Sequence, residues 1–275
     1  MKIGSYNLSD ETPAIMGIVN TTPDSFSDGA KYLNTSSAIR HAIGLIEDGA
    51  DIIDIGGEST RPGAEEVSSH DELKRVIPVI EGIRCESDVP ISIDTTKAEV
   101  AKRAIDAGAN MINDISALRA DADMAETIRA SDGFVILMHM QGTPRTMQDH
   151  PTYDHVMEEI TAFLQERITA AQEAGIAKER IWIDPGIGFG KRLEHNLEIL
   201  RGIGRLSSIG SPIVIGLSRK SFLGRILDEK TADRLEGTIA ANAVAVARGA
   251  DVIRVHDVKE GRRTADVAYR LRYHA

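Results

Sequence analysis

The chain has 275 residues, 42% of them apolar, and a formal net charge of −10 from 42 acidic and 32 basic side chains. That length suits one large α/β domain or two small ones, and the apolar share supports a large core. The acidic balance and the lack of a basic run argue against nucleic acid as a partner, and no apolar run approaches the roughly 18 residues of a membrane helix.

Residues 1–10 precede the first apolar run, and two readings stand open for them: a short hairpin, or a cap over the N-terminal end of a barrel. Eight short apolar runs, most of them rich in Ile and Val, come next, at 15–19, 52–55, 91–93, 111–112, 134–138, 181–183, 213–215 and 252–255. Continuous β-branched runs of this length predict strands buried on both faces, as in a parallel sheet. Helical periodicity fills the gaps, at 37–48, 70–84, 97–107, 122–130, 153–174, 194–203, 231–248 and 260–271. Three helix-to-strand junctions share one form, Gly49-Ala50-Asp51, Gly108-Ala109-Asn110 and Gly249-Ala250-Asp251. Glycine stops a helix by taking the left-handed conformation. Eight strands alternating with helices, with no break in composition, predict a closed (β/α)8 barrel over 1–275 as a single domain. A doubly wound open sheet is the alternative, but it calls for fewer strands or a Gly-rich dinucleotide loop after the first one.

Active sites of such barrels lie where the strands end. The first run leads into Asn20 and a loop to about Ser36 that contains Phe26. The second leads into a loop from Gly56 to about His70, with Thr60, Arg61 and Pro62. The third ends in Asp94, the fourth in Asn113 and Asp114, the fifth in Met138 and His139. The sixth ends in Asp184 and a Gly-rich turn carrying Phe189. Arg219, Lys220 and Ser221 follow the seventh, and Arg254 and His256 end the eighth. Helix caps account for one or two of these polar ends, not for all eight. Long loops rich in Gly, Pro, Ser and Thr read as lids or binding loops. The single cysteine, Cys85, cannot form an internal disulfide, which points to a reducing cytoplasm.

Several stretches resemble signatures of the dihydropteroate synthases. They are Met16-Gly17-Ile18-Val19-Asn20-Thr21-Thr22-Pro23-Asp24-Ser25-Phe26-Ser27-Asp28-Gly29 and Gly56-Gly57-Glu58-Ser59-Thr60-Arg61-Pro62-Gly63. Met138-His139-Met140-Gln141-Gly142, Asp184-Pro185-Gly186 with Gly188-Phe189-Gly190, Ser218-Arg219-Lys220-Ser221 and Arg254-Val255-His256 complete the set. Six motifs in order over 14–260 are far more specific than any one alone. Thr21, Ala30 and Ile187 depart from the common Val, Gly and Phe, and none removes a polar group.

The resemblance implies a homodimeric TIM barrel of folate biosynthesis and a target of sulfonamides. It would join a pterin carried on a diphosphate to 4-aminobenzoate. Asp94, Asn113, Met138, Asp184 and Lys220 would line the pterin pocket. Carboxylates can accept paired N–H bonds from an amino-pyrimidinone edge, and an amide both donates and accepts. Asn20, Arg254 and His256 would hold the diphosphate, Asn20 also its Mg²⁺, an ion that needs few protein ligands. Phe26, Thr60, Arg61, Pro62, Phe189 and Ser221 would form the 4-aminobenzoate site. Catalysis would rest on Asn20, Lys220, Arg254 and His256 through an SN1-like departure of the diphosphate. Three rival readings compete. A corrinoid methyltransferase shares the Asp–Asn–Asp set but needs no diphosphate site. A Schiff-base aldolase would use Lys220 and leave the carboxylates unexplained. A non-catalytic pterin binder would not need the full set of groups.

Overall fold

The computed structural model describes residues 2–3, 6–8, 12–22, 31–60, 63–228 and 234–273. Two short antiparallel strands, β1 (Lys2–Ile3) and β2 (Tyr6–Asn7), form the N-terminal hairpin. Eight parallel strands come after it among the described residues: β3 (Ala14–Asn20), β4 (Ile52–Gly56), β5 (Ile91–Asp94), β6 (Met111–Asp114), β7 (Phe134–Met138), β8 (Ile181–Asp184), β9 (Val214–Gly216) and β10 (Val252–Val255). Their order is β8-β7-β6-β5-β4-β3-β10-β9. A parallel bridge between Ile183 and Ile213 joins the two ends, so the sheet closes on itself. The helices are α1 (Lys31–Glu47), α2 (Ser69–Glu86), α3 (Ala98–Asp106), α4 (Met124–Ser131), α5 (Val156–Glu173), α6 (Leu193–Leu206), α7 (Ser221–Leu227), α8 (Leu235–Ala247) and α9 (Val258–Tyr273).

Each strand lies within about two residues of its apolar run. Two helical expectations change. Helix α1 starts at Lys31, so the first loop is shorter than its composition implied. A seven-residue helix not expected from the sequence, α7, follows the seventh strand, and α8 begins at Leu235 instead of residue 231.

The alternation of side chains along a strand divides the core in two. Ile15, Ile53, Ile91, Ile112, Val135, Ile181, Ile215 and Ile253 face outward into the helices, in one large cluster. Met16, Ile52, Met111, Ile136, Trp182, Val214 and Val252 face inward and fill the barrel with a second apolar cluster. Ile3 and Leu8 of the hairpin belong to that inner cluster. The hairpin is therefore also the cap: both readings of residues 1–10 hold at once.

The three Gly-Ala junctions act as one device. Gly49, Gly108 and Gly249 take φ of 102°, 113° and 108°. The following alanine amides then return to carbonyls five residues back, at Leu45, Ala104 and Ala245. The third residue of each reaches a neighbouring strand: Asp51 accepts from Ile15 N at 2.8 Å, Asn110 from Ile91 N at 3.1 Å and Asp251 from Ile213 N at 2.8 Å. A donor left open at each strand's start is thereby satisfied.

Candidate active site

Two residues beyond the inner apolar cluster, on the same face, most of these strands turn polar, with Met138 and Gly216 between the charged groups. Ile52 is followed by Asp54, Met111 by Asn113, Ile136 by Met138, Trp182 by Asp184, Val214 by Gly216 and Val252 by Arg254. One step of strand periodicity thus converts a dry floor into a charged mouth.

Arg254 is the hub of this layer. Its Nε donates to Asp54 Oδ2 at 2.6 Å and its Nη2 to Asp94 Oδ2 at 2.9 Å. Asn113 Nδ2 lies 3.4 Å from the same Asp54 oxygen. Asp54 is wholly buried, and its Oδ1 has no hydrogen-bond partner among the described residues. Burial pushes the Asp94 carboxyl up to about 7, Arg254 opposing and Asp54 adding to the shift. Asp184 is likewise raised by burial, against the pull of Lys220, and its Oδ1 accepts Gly186 N at 2.7 Å.

Lys220 approaches from the loop after β9. Its Nζ donates to Ile187 O and sits 4.9 Å from the centre of the Phe189 ring. Burial brings its ammonium down to about 8, with Asp184 opposing. A Cβ built on Gly216 would lie 3.8 Å from Lys220 Nζ and 3.9 Å from Arg254 Cβ, so both cations border that glycine. Asn20 ends β3, the strand between β4 and β10: a Cβ on Gly56 would be 3.9 Å from Asn20 Oδ1 and 4.0 Å from Asp94 Oδ2. His256 Nδ1 pairs with Ser218 Oγ at 2.9 Å.

The mouth opens sideways into a cavity of about 590 Å³, lined by Glu58, Thr60, Asp94, Lys97, Arg119 and Met140 among others. Lys97 Nζ donates to Glu58 and, at 2.7 Å, to the wholly buried Glu72 of α2. Arg75 adds a bond to Gly57 O at 2.8 Å. The start of the second long loop is therefore tied to α2 and α3.

The structure gathers Asn20, Asp94, Asn113, Met138, Asp184, Lys220 and Arg254 at one barrel mouth, with Phe189 beside Lys220 and Thr60 on the cavity wall. Ser221 begins α7 and is exposed. Phe26, Arg61 and Pro62 lie outside the described residues. Sequence reasoning missed Asp54. Its signal was an acid inside an otherwise apolar strand, Ile52-Ile53-Asp54-Ile55, which no helix cap or turn explains.

Among the described residues no group of three or more His, Cys, Asp or Glu is arranged for a metal. Asn20 offers one amide oxygen beside Asp94. That fits only an ion held mainly by substrate oxygens and water, the habit of Mg²⁺.

A family model described as "Pterin binding enzyme" matches residues 16–256. The dihydropteroate synthase of Clostridium beijerinckii is 47% identical over 268 residues, 96% of this chain and 97% of that protein. A crystal structure of the Yersinia pestis dihydropteroate synthase with a sulfonamide drug complex superposes with a TM-score of 0.94 at 43% identity, covering 99% of this chain and 98% of that one. The Xanthomonas albilineans dihydropteroate synthase in complex with 7,8-dihydropteroate gives a TM-score of 0.87 at 42% identity, covering 97% and 96%. With the charged barrel mouth and the matched length in agreement, the chain belongs to the dihydropteroate synthases, transferases within the pterin-binding enzymes.

Proposed function

We propose that the chain condenses (7,8-dihydropterin-6-yl)methyl diphosphate with 4-aminobenzoate, giving 7,8-dihydropteroate and pyrophosphate, and that 1–275 acts as one catalytic domain. The observation that carries the assignment of roles is Arg254 set between Asp54 and Asp94 in a mouth that also holds Asn113, Asp184 and Lys220.

Asp94, Asn113 and Asp184 bind the polar edge of the pterin, and Met138 and Lys220 flank its ring. Buried polar groups of this kind discriminate strongly, because a wrong ligand leaves them unpaired. Arg254 uses Nε and Nη2 on the two carboxylates, which leaves Nη1 for an anion. Asn20, Arg254 and His256 take the diphosphate. Mg²⁺, when bound there with Asn20, supplies charge neutralisation for the leaving group. The C–O bond breaks early, its electron pair leaves with pyrophosphate, and Asp94 and Asp184 face the positive charge left on the pterin methylene. The neutral arylamine then forms the C–N bond and releases a proton to water. Phe26, Thr60, Arg61, Pro62, Phe189 and Ser221 form the 4-aminobenzoate site. Sulfonamides, arylamines of similar shape, compete for it.

We further read the chain as a cytoplasmic homodimer. No helix of the described residues is long and apolar enough to cross a membrane, and Cys85 is a free thiol. All six exposed large apolar residues among those described lie on α7, α8 and α9: Ile226, Leu227, Leu235, Val244, Val267 and Leu271. Such a concentration marks an interface. The direct test supplies both purified substrates with and without Mg²⁺ and follows both products. Dihydropteroate and pyrophosphate are expected in equal amounts and only with both substrates and the metal. Pyrophosphate without dihydropteroate would defeat the assignment.

A further inference from the structure

The turn after β8 is built to be immobile. Gly186, Gly188 and Gly190 take φ of 68°, 83° and 61°. A Cβ on Gly186 would lie 1.9 Å from His139 O, and one on Gly190 would lie 2.5 Å from Gln141 O. The turn thus lies against the backbone that leaves β7 with no room for a side chain. Its outward carbonyls are held one by one. Ile187 O accepts from Lys220, Gly188 O from Gln148 Nε2 at 2.8 Å, Phe189 O from Lys191 Nζ at 2.9 Å and Gly190 O from Tyr153 Oη at 2.8 Å.

Lys191 stands apart in this set. It is 3% exposed and forms no salt bridge with any described carboxylate. Its Nζ meets Phe189 O at 2.9 Å, His139 Nδ1 at 2.9 Å and His139 O at 3.3 Å, one partner for each ammonium hydrogen. Burial pulls its pKa well down, and the nearby Asp184 charge opposes that pull. His139 is kept neutral by burial and by Lys191, its pKa brought down to about 2, and its ring packs edge-on to Phe163 at 4.8 Å. The bridge survives either protonation state. A neutral amine still donates to both carbonyls while its lone pair accepts from His139 Nδ1–H. A buried lysine without a paired carboxylate is costly, so its retention calls for a specific gain.

We propose that Lys191 is a positioning residue for the second substrate: from behind the turn it fixes the backbone that presents Phe189 and anchors Lys220, and so sets the 4-aminobenzoate pocket. The inference rests on the proposed function, in which Phe189 and Lys220 border that pocket. Lys191 touches no substrate itself. Its loss frees Phe189 O and, through the adjoining peptides, the Ile187 carbonyl on which Lys220 rests. Of the groups proposed for the pterin, Asp94 and Asn113 lie on other strands and keep their places, so the main contact loosened there is that of Lys220.

The test measures kcat and both KM values for the full-length enzyme carrying Lys191→Met, Lys191→Gln or Phe189→Ala. Lys191→Met is expected to raise the KM for 4-aminobenzoate on the order of tenfold, the loss of one charge-assisted bond to the turn. The KM for the pterin diphosphate is expected to rise less, within about threefold, because only the Lys220 contact to that substrate is loosened. Lys191→Gln, which keeps a donor, is expected to restore part of the affinity. A merely structural role would lower the active fraction, hence kcat, and leave the KM for 4-aminobenzoate alone. That result, or an equal rise in both KM values, overturns the proposal, as does failure of both Lys191 variants to fold. If Phe189→Ala leaves the KM for 4-aminobenzoate unchanged, the pocket assignment itself falls and the inference with it. If Phe189→Ala raises that KM and Lys191→Met does not, only the role of Lys191 falls.

Discussion

At the scale of single residues, the site turns on how two buried carboxylates share one guanidinium. Asp54 and Asp94 lie on different strands, yet both reach Arg254, which is 200 residues from Asp54 and 160 from Asp94 in sequence. Removing one partner of a buried pair leaves the other uncompensated. Asp54→Asn keeps the shape and deletes the charge, so Arg254 turns wholly toward Asp94. The expected cost is about 2–3 kcal/mol of transition-state stabilisation, roughly a hundredfold in kcat/KM, with the fold retained by circular dichroism. An activity within twofold of wild type would remove Asp54 from the machinery. The second residue-scale consequence concerns pH. Asp94 titrates at about 7, raised by burial. In the proposed pterin site only the ionised form of Asp94 accepts the N–H pair, so affinity is lost as pH falls. Calorimetric titration of a dihydropterin into the ligand-free protein is expected to weaken by about tenfold per unit once the pH is below roughly 7. Asp94→Asn abolishes both the binding and its pH dependence.

At the scale of elements, the turn between β8 and α6 carries the tightest backbone approach in the mouth. Gly186→Ala places a methyl 1.9 Å from His139 O at a φ of 68°. Strain and clash together are expected to cost about 3 kcal/mol in urea unfolding, with loss of activity. A neutral substitution there would contradict the packing of the turn against β7. Elements were legible where burial imposes a pattern. The eight strands are buried on both faces, so each showed as an apolar run, most of them rich in Ile and Val. Helix α7 was not legible, because seven residues carry too few turns to establish a period. The start of α1 was masked by Thr35, Ser36 and Ser37, residues that favour caps and turns yet here lie inside the helix. In the site, end-of-strand residues such as Asp94, Asp184 and Arg254 were legible from position alone. Asp54 was not, since it sits within an apolar run and its partners come from strands far away in sequence. Lys191 was hidden as well: besides the nearby Phe189 carbonyl, its partner is His139, 52 residues away in sequence.

At the scale of the whole molecule, one barrel face does the chemistry and the opposite face is closed by the hairpin, whose Ile3 and Leu8 complete the inner cluster around Trp182. The helical shell carries the surface of the proposed dimer. Val267 and Leu271 on α9 are 61% and 73% exposed, with Val244 of α8 at 47%. Charges placed there are expected to split a dimer without touching the barrel mouth. Val267→Glu with Leu271→Glu should sediment as a monomer of about half the wild-type mass, a simple consequence of losing a two-fold interface. A wild-type chain that is already monomeric would refute the dimer.

The proposed function rests on one arrangement: the carboxylates assigned to a flat heterocycle and the cations assigned to an anion meet on a single rim. It is tested most directly by titrating the protein with a dihydropterin and with pyrophosphate plus Mg²⁺, singly and together. The prediction is that both bind at once, one of each per chain. Asp184→Asn is expected to lose the pterin and keep pyrophosphate, and Arg254→Ala to lose pyrophosphate. Mutual displacement of the two ligands, or pyrophosphate binding that is indifferent to Arg254, would contradict it.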